Sequence, residues 1–174
     1  MNIHQFNLQF SAEEDRIIFK LNTTNKEEFR FFFTRRFVKL LWPVLLQLLG
    51  NDLRKREPAR VHAAKAVLGF EHEKVVSQAN FKKKYAAEEA KRFPLGEGIV
   101  LLSKIQVKQG SHGDILCLHP SKGKGLEFPV SNAFLHPFCK LLADSVDKAE
   151  WEIKLVIPGN DPVGNVRPEK RVLH

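Results

Sequence analysis

Residues 27–50, EEFRFFFTRRFVKLLWPVLLQLLG, hold five phenylalanines, three arginines, a tryptophan and an internal proline. How this run folds decides the architecture, and it reads as a helix. Just upstream, TNKE offers Thr24 as N-cap with Glu27 three residues on, which makes a capping box, and Gly50 is a C-terminal stop. The reading predicts a helix over 25–49, kinked where Pro43 removes a backbone donor. On its wheel Glu28, Phe32, Arg35, Arg36, Lys39, Pro43 and Gln47 share one wet stripe, while Phe29, Phe33, Phe37, Leu40 and Leu41 lie off it. Phe32 is then an exposed ring beside Arg35, Arg36 and Lys39, cations with no acid three or four residues away.

Outward from this stretch the period changes to two. Phe6, Leu8 and Phe10 alternate with polar residues, as do Ile17, Phe19 and Leu21 with Ile18 and Lys20, and the acidic SAEED lies between. An antiparallel hairpin follows. From Gly98 the alternation returns in Ile99, Leu101, Ile105 and Val107, then in ILCLH and LEFPV beyond the turns QGSHGD and SKGKG, a three-strand meander. Ser131 or Asn132 caps a second amphipathic helix that buries Phe134, Phe138, Leu141, Leu142 and Val146. WEIKLVI, with Trp151, Ile153, Leu155 and Ile157 on one face, reads as a closing strand.

The expected fold is α+β: an antiparallel sheet, made from the N-terminal hairpin and the C-terminal meander, covered by two amphipathic helices. Residues 52–96, rich in Ala and Lys and short of large aliphatics, form a peripheral helical insertion. One domain spans 1–158, and the proline-bearing 159–174 is an extended tail. At 174 residues the chain buries enough surface to need neither disulfide nor metal for stability.

A 43% hydrophobic content excludes the disordered regime. The start lacks a signal-peptide pattern, and Lys39, Pro43 and Gln47 cut the longest apolar cluster too short to span a bilayer. With two cysteines only, the expected home is a reducing cytoplasm. The excess of 28 Lys+Arg over 20 Asp+Glu, a charge of +8, suits nucleic acid or an acidic protein as partner and no membrane.

Further positive charge lies in Arg54, Lys55, Arg56 and Arg60, in Lys122 and Lys124, and in Arg167, Lys170 and Arg171. Phe81 and Tyr85 flank Lys82, Lys83 and Lys84, an interleaving that single-stranded nucleic acid uses for stacking and phosphate contact. Cys117 and His119 on one strand, with His136 and Cys139 on the next helix, are the candidate metal ligands, read against the simpler account of buried thiols and unrelated histidines. No phosphate-loop, nucleophile-elbow, zincin or dinucleotide fingerprint occurs, so no cofactor and no catalytic residue is expected.

Residues 13–45, EEDRIIFKLNTTNKEEFRFFFTRRFVKLLWPVL, resemble the amino-terminal region of an uncharacterised family of bacterial proteins. In that family an asparagine-threonine cap leads into an arginine-pair helix ending at Leu-Trp-Pro. The resemblance implies a bacterial cytoplasmic origin and supplies neither ligand nor catalytic residue. Function is therefore expected to be non-enzymatic binding of nucleic acid or another polyanion through Arg35, Arg36, Lys39 and Lys82 to Lys84, with Phe32 or Tyr85 stacking. The alternative is a protein-interaction or regulatory adaptor, whose charge serves only steering.

Overall fold

The computed structural model describes residues 2–81, 85, 90–111 and 113–159. Strands β1 (Ile3–Ser11) and β2 (Arg16–Thr23) form the expected hairpin, with Phe6, Leu8 and Phe10 opposite Leu21, Phe19 and Ile17. The greasy face is buried, and Ile17, Phe19 and Leu21 are wholly enclosed.

The decisive stretch departs from its expectation. Glu28–Phe33 is a strand, β3, antiparallel to β2, and helix α1 begins only at Arg35 and runs to Arg56. The reason lies in the phenylalanines. Phe29, Phe31 and Phe33 are buried while Arg30 and Phe32 are half-buried on the opposite face, a period of two that aromatic residues favour in strands. A helix would throw Phe31 to the side away from Phe29 and Phe33. As a strand, the three rings lie opposite Leu21, Phe19 and Ile17.

Thr24 and Glu27 belong to the β2–β3 connection, where Lys26 takes a φ of 59° and its N–H donates to the Thr23 carbonyl. The helix cap is Thr34, whose hydroxyl accepts from the Phe37 N–H at 3.1 Å. Gly50 does not end α1, because the apolar face continues through Leu53, which is buried. Burying that side chain outweighs the glycine's propensity cost of about 1 kcal/mol.

The hairpin and the meander also belong to two sheets rather than one. β4 (Val100–Leu101) pairs parallel with β3, giving the order β1-β2-β3-β4, whereas β5 (Lys104–Gly110), β6 (Gly113–His119) and β7 (Leu126–Pro129) form a separate antiparallel sheet. The division falls between two adjacent residues. The Leu102 N–H donates to the Phe32 carbonyl in the first sheet, and the Ser103 N–H donates to the His119 carbonyl in the second.

Helix α2 (Ala64–Gln78) follows a 3-10 segment at Pro58–Ala63 and turns Leu68, Gly69 and His72 inward. Within the Ala/Lys-rich segment, the described residues 90–92 are not helical; they run beside the β2–β3 turn, where the Glu28 N–H donates to the Arg92 carbonyl. Helix α3 (Asn132–Lys148) starts after Ser131 and buries Phe134, Phe138, Leu142 and Val146, as its wheel requires. WEIKLVI is not a strand: Glu150 and Glu152 at positive φ break the extended geometry a ladder needs. Its alternation still buries Trp151 and Ile157, and Trp151 Nε1 donates to Asp15 Oδ1 at 2.8 Å. Among the described residues no helix is long and apolar enough to cross a membrane.

Both sheets, α1 and α3 meet at aromatic rings. Phe138 of α3 sits edge-on to Phe19 at 5.2 Å and stacks on Phe134 at 5.2 Å; Phe134 reaches Phe6 of the first sheet and Phe128 of the second. Phe33 carries the cluster on to Phe37 of α1 at 5.0 Å. Truncating Phe138 to Ala should therefore lower stability by about 3–5 kcal/mol in urea unfolding. The same truncation of the exposed Phe70 should stay within about 0.5 kcal/mol of wild type.

A second buried contact joins α2 to α3: His72 Nδ1 and His136 Nδ1 lie 3.1 Å apart, so one ring must donate and the other accept. Burial lowers both pKa values, His136 to about 4, with the neighbouring His72 adding to the shift; Lys140 adds to that of His72. The unfolded chain takes up these protons near pH ~6.5, before the folded pair does. The pair's contribution is thus whole above that pH and is lost as pH falls toward 4. Denaturation measured from pH 7 to 4 should show about 2–3 kcal/mol more loss in wild type than in His136→Gln, and equal slopes would exclude the pair as the source.

Candidate functional site

Because β3 spends its odd-numbered phenylalanines on the core, its even-numbered side chains go to the outer face of the first sheet. There Gln9, Ile18, Phe32 and Leu101 stand in one row across the four strands, and Asn7, Lys20 and Arg30 in another. Arg16 lies over the Phe32 ring, its guanidinium carbon 5.2 Å from the centroid. Phe32 is consequently a half-buried strand residue under a guanidinium plane, not the bare helical ring expected from the wheel. Leu101 beside it is 44% exposed.

One end of this face is closed. Glu28 is enclosed there, bonded by Arg30 Nε at 2.5 Å and by the Tyr85 hydroxyl at 3.1 Å, while Arg30 also bonds the Glu97 carbonyl and covers the Phe93 ring. The same hydroxyl lies within hydrogen-bond reach of the Asn22 side chain, and burial, with the Glu28 charge behind it, raises its pKa so that the phenol stays neutral. Its polar end is thereby tied to β2 and β3. The other end, with Arg16, Ile18, Phe32 and Leu101, is more open and leads directly into the start of α1.

Arg35 and Arg36 follow Phe32 by three and four residues, so the Cα of Arg35 lies within about 11 Å of that of Phe32. Arg35, Arg36 and Lys39 are exposed, the first turn of α1 holds no acid, and among the described residues none of the three meets a carboxylate at ion-pair distance. Leu40 next to them is 53% exposed.

The remaining basic runs are spent differently. Arg54 bonds Asn51, Lys55 pairs with Asp114 at 3.0 Å, and Arg56 is held charged by Glu71 and Asp52. Lys122 and Lys124 are exposed in the β6–β7 connection. Lys82, Lys83, Lys84, Arg167, Lys170 and Arg171, together with the Arg60 side chain, lie outside the described residues. Arg16, Lys20 and Leu101 were not legible as site residues, although Arg16, Ile18 and Lys20 share a strand face; their proximity to Phe32 depends on 28–33 being a strand.

The four candidate metal ligands separate into two groups. Cys117 and His119 face outward from β6 and meet Glu127 of β7, whereas His136 pairs with His72 and Cys139 is sealed in the apolar core, where burial pushes its thiol to about 12. No family model, curated protein or solved structure matches the chain.

Proposed function

We propose that the protein binds single-stranded nucleic acid without catalysing a reaction, through the start of α1 and the open end of the first sheet's outer face. The observation that carries this reading is electrostatic. Arg35 and Arg36 occupy the positive end of the α1 dipole, where cations are disfavoured, and among the described residues they and Lys39 have no acidic neighbour to offset the charge. A phosphate supplies that missing charge, and the backbone N–H groups of a helix start favour the same ligand. Beside it, the Arg16 plane over Phe32 and the apolar Ile18 and Leu101 offer a sheet surface on which unpaired bases stack.

The adaptor reading rests on Leu40 and Phe70, large apolar side chains that are 53% and 69% exposed. Salt separates the two. If three phosphates are neutralised, log affinity falls with log salt at a slope near about −2, roughly a 20-fold loss between 50 and 200 mM. Anisotropy with labelled single-stranded oligonucleotides should show this, and Arg35→Gln/Arg36→Gln should flatten the slope by roughly 1.4. Undetectable binding of single- and double-stranded oligonucleotides at low salt would overturn the proposal in favour of the adaptor.

A further inference from the structure

The second sheet has its own polar outer face, made by Lys104, Gln106 and Lys108 of β5, Ile115, Cys117 and His119 of β6, and Glu127 of β7. We propose that Cys117, His119 and Glu127 on this face form a zinc-binding site with water in the fourth position. Cys117 and His119 are two residues apart on the central strand and so point the same way, and Glu127 stands directly opposite Cys117. Their ligand atoms lie within 4.8 Å of one another, with His119 Nε2 3.1 Å from a Glu127 oxygen. Around a tetrahedral zinc such atoms sit about 3.3–3.7 Å apart, so side-chain rotation alone closes the set.

Two further observations favour a cation here. Glu127 already gathers one, since the Lys108 ammonium lies 2.8 and 2.9 Å from its two carboxylate oxygens. Lys108 is half exposed, so zinc can displace it into water. Cys117 is also unlike Cys139: it is buried on a polar face, under side chains that ligate metals, and stands outside the apolar cluster that takes in Cys139. Burial, reinforced by the Glu127 charge, keeps it a thiol in the free protein. On coordination its proton passes to solvent and the thiolate binds the metal, matching the borderline softness of zinc to a sulfur, nitrogen and oxygen set. The bound ion would tie β6 to β7 across the connection at 120–125.

Cobalt(II) titration of the full chain tests the site, because only thiolate ligation gives a sulfur-to-cobalt charge-transfer band. One equivalent should produce the band, and zinc should abolish it by competition. Cys117→Ser should remove it, Cys139→Ala should keep it, and His119→Ala should weaken zinc binding by about 100-fold. Lys108→Gln should tighten binding several-fold by removing the competing ammonium. Circular dichroism of each variant separates loss of the site from loss of the fold. No band at micromolar cobalt, or a band that survives Cys117→Ser in a folded variant, overturns the proposal.

Discussion

The edge-on contact between Phe138 and Phe19, with Phe33 and Phe134 around it, is the interaction through which the two sheets, α1 and α3 are positioned. It fixes the register of β1, β2 and β3, since slipping any of them by one residue would turn its rings to the outer face. It also sets where α3 lies on the first sheet, and through Phe134 and Phe128 it joins the second sheet to the first. The geometry is directional as well as apolar, because edge-to-face and offset rings are favoured over arbitrary contact.

The outer surface inherits its character from that inner arrangement. With Phe29, Phe31 and Phe33 turned inward, the outward positions of β3 hold Glu28, Arg30 and Phe32. At the closed end, burial of Glu28 is made tolerable by Arg30 and Tyr85, since a buried carboxylate persists only when paired and hydrogen-bonded. At the open end, among the described residues, no such compensation exists for Arg35, Arg36 and Lys39. Lys55 and Arg56, by contrast, are held by Asp114, Asp52 and Glu71. Among the described residues, the start of α1 thus gathers three exposed cations within five positions, with Lys122 and Lys124 a second exposed pair.

The two sheets present different side chains on their outer faces. The first offers cations around a ring and an apolar row, and the second gathers a thiol, an imidazole and a carboxylate under a lysine. Their separation rests on one peptide step, in which Leu102 completes the first sheet and Ser103 begins the second. The buried Leu102 side chain pins that transition.

The α+β class, the N-terminal hairpin, the meander and helix α3 were determined by the sequence alone, because each is a local period of two or 3.6 with turn residues at its ends. Within residues 27–50 the helix beyond Thr34 was legible, but the strand Glu28–Phe33 was not, because its phenylalanines run straight into the apolar pattern of that helix. The choice between strand and helix up to Phe33 is made by Leu21, Phe19 and Ile17 lying opposite. Arg35, Arg36 and Lys39 could be picked out from spacing, since an absence of acids at three or four residues is itself local. Arg16 over Phe32, Leu101 beside it and Glu127 opposite Cys117 are pairings across strands, and strand pairing follows from packing rather than from order along the chain.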